Sequence, residues 1–321
     1  MGKTSVLKRL ERARLLAKDY HPLYLDCSIT ASEAEFIEAL IYDKAWFKEP
    51  PNNRPNSFIN LLPNGKPLVI LLDEIDKIVL PDQQAGYPLL LTFRALANNG
   101  RCRFVFSGEQ ALRDELNNPD SPLFNFAEEY LIGRLDKQAV EELVTRPMKQ
   151  LEIELIDEPA LVQKVWDFTS GHPNIVQRLC QQIIIHLSQR QDRQLQTHDI
   201  ETIITDPDFL RRDFLNVYWE RATALERLCC LIMATNHHDW TLTTVHDAFV
   251  KKNIAVELNQ VDKALERLVD LRNILRRTTE GYAFAVTAFP EVIGKTARLE
   301  ELIALNLESF RQYGDVPPRM R

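Results

Sequence analysis

Two short stretches carry residue types suited to handling phosphate. Gly2-Lys3-Thr4 is the last third of the pattern G-x-x-x-x-G-K-[ST]. In that pattern, backbone amides at a helix N-terminus wrap phosphate oxygens, the lysine ammonium reaches the outer phosphates, and the hydroxyl binds Mg²⁺. Three such residues occur together by chance in many chains, but here an amphipathic segment follows at once, as the pattern requires. About seventy residues on, the run Leu68-Val-Ile-Leu-Leu72 ends in Asp73-Glu74. A continuous apolar run of that kind reads as a strand buried on both faces, delivering its carboxylates at the carboxyl end. Asp73 is placed there for the Mg²⁺ shell, and Glu74 is placed to polarise an attacking water. In isolation, the same pair reads equally as the start of a solvated loop.

Other residues are open to two readings. Ser107 ends the apolar stretch Arg103–Ser107, where a hydroxyl would meet a γ-phosphate or orient water; alternatively it caps a following helix over Gly108–Leu116. Arg94 and Arg134 would reach phosphate or a neighbouring subunit, or serve as solvated or salt-bridged arginines. His237 and His238 lack a third ligand at a sensible spacing and read as a loop before a helix. The five cysteines (27, 102, 180, 229 and 230) form no C-x-x-C pair. Their odd number excludes a closed disulfide framework, and Cys229-Cys230 read as small core residues in a reducing compartment.

The elements that would position these groups follow from periodicity. Residues 5–18 read as a helix with Val6, Leu7, Leu10, Leu15 and Leu16 on or near one face, and residues 23–27 as a strand. Ser32 with Glu35 makes a capping box, and Glu49–Asn56 reads as a loop. A helix over 87–98, a second buried strand over 103–107 and a short last strand at Tyr130–Ile132 complete a mostly parallel α/β sheet. Residues 136–205 read as all helical, with Gly171 ending one helix and Pro173 opening the next. Helices over 217–235, 243–252 and 259–271 precede a hairpin whose turn is given to Gly281, so the set reads as a winged helix. Residues 296–311 read as a final helix, before Pro317-Pro318.

Composition sets the outer bounds. The chain has 321 residues, 45% hydrophobic and 26% charged, enough for two domains or slightly more. Its formal charge is 39 − 46 = −7, which argues against a general nucleic-acid binder, whose face is usually basic. No signal peptide or membrane-length apolar run is evident, so a cytoplasmic protein with no membrane partner is expected.

Three features together resemble the STAND class of P-loop ATPases, in particular the prokaryotic AAA-like members. Met1-Gly2-Lys3-Thr4-Ser5-Val6-Leu7 resembles the end of that family's phosphate loop. Val69-Ile-Leu-Leu-Asp73-Glu74-Ile-Asp76 resembles its acidic strand, and Gly171-His172-Pro173 with Gln177 its G-x-P signature. The resemblance runs to about residue 295. It implies a P-loop ATPase core over 1–134 with its first strand missing, an all-α lid over 135–205, a winged-helix domain over 206–295 and a terminal helix over 296–321. The missing strand would lie between those at 103–107 and 130–132, so the chain is expected to bind ATP poorly and to be inactive alone. The resemblance assigns Gly2, Lys3, Thr4, Ser5, Asp73, Ser107 and Pro173 to ATP or ADP, Thr4 and Asp73 to Mg²⁺, and Glu74 to catalysis. It also implies a signalling switch, closed with ADP, and open and self-associating through protein contacts with ATP.

A DNA-binding ATPase, initiator-like or regulating transcription, is the competing function. The presumed recognition helix carries Glu257, Asp262, Glu266 and Asp270 against Lys263, Arg267 and Arg272. That near-neutral balance suits phosphate tracking poorly, although Lys251, Lys252, Arg276 and Arg277 would form a modest patch. A scaffold with a dead nucleotide site is the third reading, and the intact Lys3, Thr4, Asp73 and Glu74 argue against it.

Overall fold

Leu68–Asp73 forms β2, and all six of its residues are buried. With no alternating polar positions, neither face of this strand suits water, so it must lie inside a sheet covered on both sides. The computed structural model describes residues 2–29, 66–100, 102–219, 222–235, 240–296 and 299–316. They separate into two compact units, Met1–Ile132 and Gly133–Arg321. The expected capping box at Ser32–Glu35, the loop at 49–56, the His237-His238 pair and Pro317-Pro318 fall outside the described residues.

The first unit contains α1 (Lys3–Glu11), α2 (Arg14–Asp19), β1 (His21–Asp26), β2, α3 (Asp76–Gln84), α4 (Pro88–Asn98), β3 (Cys102–Phe106) and α5 (Gln110–Asn117). Its sheet has the order β1-β2-β3 and is parallel throughout. Asp26 stands opposite Asp73, and Leu72 opposite Phe106, so all three carboxyl ends meet at one edge. One cluster joins Leu23, Leu25, Ile70 and Leu72 with Ile78, Leu89 and Phe93. A second, smaller cluster sets Leu7 of α1 on Val69 and Leu71, with Leu10, Leu16, Tyr20 and Tyr24 around them.

Several expectations are corrected here. The helix expected over 5–18 breaks between α1 and α2. On one straight helix Leu16 would point about 180° away from Leu7; the break lets both join one cluster, while Leu15 is left exposed. The strand β3 is not buried on both faces. Arg103 and Val105 are exposed, whereas Phe104 and Phe106 pack their rings against those of Phe93 and Phe126. Tyr130–Ile132 forms no strand; these residues are exposed, and a β-prone triplet without a pairing partner does not hold a strand.

In the second unit, α6 (Lys137–Gln150), α7 (Glu158–Thr169), α8 (Pro173–Arg190) and α9 (Thr197–Thr205) account for most of the stretch expected to be all helical. Two short strands interrupt it, β4 (Glu154–Leu155) and β5 (Gln194–Leu195), which pair in parallel and give two inter-helix connections backbone partners. Next come α10 (Pro207–Phe209), a π-helix (Leu210–Leu215) and α11 (Asn216–Trp219). They lead to α12 (Ala224–Met233), α13 (Leu242–Lys251) and α14 (Leu258–Asp270), then to the antiparallel hairpin of β6 (Leu275–Arg277) and β7 (Tyr282–Phe284). The final helix expected at 296–311 corresponds to α16 (Leu299–Tyr313), and a helix not expected from the sequence, α15 (Phe289–Thr296), precedes it. In α15, Phe289 joins an aromatic cluster with Phe214, Tyr218, Trp219 and Phe284. A continuous core runs from Val140 through Cys229, Cys230 and Phe289 to Ile303. All five cysteines are buried.

Gly281 owes its place to close approach, not to turn conformation. Trp240 pairs with Tyr282 through two backbone bonds of 2.9 and 2.6 Å. A Cβ at Gly281 would then stand 2.2 Å from the Trp240 carbonyl oxygen. Gly281→Ala should therefore cost about 1–3 kcal/mol in denaturant unfolding. Gly294→Ala in α15, where a Cβ meets nothing within 4 Å, should be neutral or stabilising by up to about 1 kcal/mol. Equal effects would contradict the steric reading.

Candidate functional site

The end of β2 delivers Asp73 into a position that is 2% exposed. Its carboxylate is satisfied by three donors. Ser107 Oγ donates to Oδ1 at 2.8 Å, the Glu74 amide to Oδ1 at 3.1 Å, and the Tyr24 hydroxyl to Oδ2 at 3.0 Å. The donors come from the carboxyl half of β1, from the residue just after β3 and from the residue just after β2, so the parallel register builds the site. The phenol of Tyr24 is held above its usual pKa, first by burial and then by its bond to Asp73. It therefore stays protonated and donating. Glu74 adopts the left-handed region, with φ of 55°. Non-glycine residues visit that region rarely, and there it turns the chain sharply out of the strand.

The loop after β3 closes the same edge. The Asp76 carboxylate accepts from the Glu109 amide at 2.6 Å and from the Leu112 amide at 3.2 Å, capping α5. Ser107 does not cap that helix, as one reading of it had proposed; its hydroxyl goes to Asp73 instead. Lys3 Nζ donates to the Gly108 carbonyl at 2.9 Å and approaches Glu109 Oε1 at 3.5 Å. Lys3, Gly108, Ser107 and Asp73 thus form one connected chain. Gly2, with φ of 75°, occupies the left-handed region that glycine favours and opens α1, while Thr4 and Ser5 are exposed at its first turn. Arg94 reaches the carbonyls of Pro122 and Phe124 at 2.7 and 3.2 Å and so pins the segment after α5.

The donor set fits Mg²⁺. Among the described residues, no three His, Cys, Asp or Glu side chains gather into an all-protein cage. Mg²⁺ usually takes one or two protein oxygens and completes its shell with water and phosphate, and the Asp73 carboxylate is an oxygen donor of that kind.

In the second unit, Gly171 has φ of 73°, and a Cβ there would meet the Leu135 carbonyl oxygen at 2.2 Å. Pro173 is the first residue of α8. His172 between them is fully buried, neither ring nitrogen has a hydrogen-bond partner among the described residues, and its ring meets Tyr218 edge-on at 4.9 Å. Burial, with the Arg134 cation adding to it, pushes the His172 pKa down to about 3. Arg134 itself is held by the Ala285 and Ser170 carbonyls. Tyr24 and Asp76 are the residues that sequence reasoning left without a role. Asp76 carries a signal in its spacing from Asp73; Tyr24 reads only as an ordinary strand residue.

No family model matches this sequence, and no curated protein does. Solved structures do match. A Walker-type ATPase of Pyrococcus abyssi is similar with a TM-score of 0.60 at 17% identity, over 91% of this chain and 88% of that one. The ORC2 protein of Aeropyrum pernix, solved as ADPNP and ADP complexes, is similar with a TM-score of 0.59 at 12% identity, over 97% and 84%. The fold is accordingly that of a P-loop ATPase, a mixed α/β chain with a parallel sheet. No helix among the described residues is long and apolar enough to cross a membrane.

Because the folded state keeps His172 neutral while the unfolded chain takes its proton near pH 6.5, acid favours unfolding. Stability should fall by about 1.4 kcal/mol per pH unit below about 6.5 from this group alone, down to pH 3. His172→Phe should flatten that limb of the unfolding curve; parallel curves for the two proteins would contradict the burial of a neutral imidazole.

Proposed function

We propose that this chain is an ATP-binding and hydrolysing molecular switch of the STAND type. The single observation that carries the reading is the connected set Lys3–Gly108–Ser107–Asp73 at the carboxyl edge of a P-loop ATPase sheet. Gly2, Lys3, Thr4 and Ser5 hold the phosphates, Thr4 and Asp73 hold Mg²⁺, and Glu74 orients and deprotonates the attacking water. Ser107 fixes Asp73. When bound, Mg²⁺ neutralises phosphate charge. In this reading 1–134 is the ATPase core, 135–205 the lid, 206–295 a winged helix and 296–321 a terminal segment. Nucleotide state would be relayed to protein partners or to self-association in the cytoplasm.

The left-handed backbone at Glu74 supports its role, because strain of about 1–3 kcal/mol at a strand end is a common mark of a working site. Arginine pairing supports a protein-facing winged helix over a DNA-reading one. Arg267 pairs with Glu226 and Asp315, Arg272 with Glu226, and Arg277 with Asp270 and Glu266. Cations committed to carboxylates are poorly placed to replace counterions on a duplex.

Three measurements follow. With a fluorescent ATP analogue at millimolar Mg²⁺, Asp73→Ala should weaken binding by about 10-fold or more. In a chain that carries the complete phosphate-loop pattern, Glu74→Gln should leave binding within about threefold while slowing single-turnover hydrolysis by about 10²–10⁴-fold. Equal turnover for Glu74→Gln and the unmutated chain would remove Glu74 from the reaction. Titration of the full chain with random duplex at low salt should show no micromolar binding; steeply salt-dependent micromolar affinity would favour the DNA-binding reading instead.

A further inference from the structure

Tyr24 touches both elements that carry the proposed metal ligands. Its register explains the first contact. On β1 it stands opposite Leu71, and Asp73 lies two residues further along β2 on the same face. That diagonal spacing is about 7–8 Å between strands, within reach of an aromatic side chain. The hydroxyl accordingly meets Asp73 Oδ2 at 3.0 Å. The second contact is with α1. Lys8 Nζ stands 5.4 Å from the centroid of the Tyr24 ring, within cation–π range. Lys8 follows Thr4 by four residues on that helix, so the two share a face.

The two oxygens of Asp73 are not equivalent. Oδ1 accepts from both Ser107 and the Glu74 amide, whereas among the described residues Tyr24 alone donates to Oδ2. Ser107 and Glu74 therefore anchor one end of the carboxylate, and Tyr24 sets the direction of the other. The apolar setting, formed by Leu7, Val69 and Leu71, would accept a phenylalanine ring equally well, so packing alone gives the hydroxyl no task. A tyrosine that merely filled the core would still need a partner for its oxygen, and this one takes the carboxylate proposed to face the metal.

We infer that Tyr24 is a positioning residue for Mg²⁺: its hydroxyl orients Asp73 while its ring tethers the helix bearing Thr4, so that the two metal ligands are held in register. The inference rests on the nucleotide-site reading above. Outer-shell partners of metal ligands typically contribute 10–100-fold in metal affinity.

The test is a Mg²⁺ titration of the full chain at fixed fluorescent ATP analogue, with a parallel titration of the analogue in EDTA. For Tyr24→Phe, the Mg²⁺ concentration at half-saturation should rise about 10-fold or more, while affinity in EDTA and the melting temperature stay near those of the unmutated chain. Equal loss with and without Mg²⁺, or no change in the Mg²⁺ midpoint, overturns the inference. Asp73→Ala separates the two levels. If it keeps the unmutated Mg²⁺ dependence, the nucleotide-site reading itself fails. If it loses that dependence while Tyr24→Phe keeps it, only the role of Tyr24 fails. Should Tyr24→Phe fold poorly, Lys8→Met tests the tether alone, and an unchanged Mg²⁺ midpoint counts against it.

Discussion

A carboxylate buried at the end of an apolar strand sets the terms for the whole first unit. Asp73 is 2% exposed, and a charge so placed is tolerated only when its oxygens find donors. Each missing donor would cost about 1–3 kcal/mol. That requirement fixes Ser107 at the end of β3 and Tyr24 on β1. It also employs the amide that the left-handed turn at Glu74 presents. A parallel sheet supplies all three donors, because only there do neighbouring strands end at the same edge. The satisfied carboxylate retains lone pairs, which the metal role proposed for it would use.

The second unit answers to a different constraint. Its helices share one apolar core, and its buried polar groups are arranged within that core. Glu226 illustrates the economy. It completes a capping box with Thr223 at the start of α12 and also receives Arg267 and Arg272. Arg267 then reaches Asp315, which ties the segment after α16 to α14. A buried ion network of this kind holds its elements in fixed relation, since removing one partner strands another charge.

The legible parts of the sequence were those where one physical signal dominates. The run Leu68–Asp73 admits only a buried strand, and the β6–β7 hairpin follows from two short strands about a glycine. The reason for Gly281 was not legible, because the carbonyl it accommodates belongs to Trp240, some forty residues away. Ser107 offered two tasks in the sequence, phosphate or water contact and a helix cap, and its bond to Asp73 is a third that depends on the geometry between neighbouring strand ends. Tyr24 left no signal, since its role depends on a cross-strand diagonal that no local spacing encodes. Tyr130–Ile132 shows the opposite failure: local β propensity without a neighbour to pair with. Much of the fold was thus readable from hydrophobic pattern, whereas the contacts around Asp73 depend on cross-strand geometry that no local spacing encodes.

The central claim is that phosphate and metal meet between the first turn of α1 and the end of β2. A structure of the chain solved with Mg²⁺ and ADP tests this most directly. The account predicts the diphosphate at the amides of Gly2, Lys3 and Thr4, the metal at the Thr4 hydroxyl, and Asp73 in its coordination shell directly or through water. Nucleotide bound elsewhere, or a metal site with neither Thr4 nor Asp73 in it, would contradict the claim.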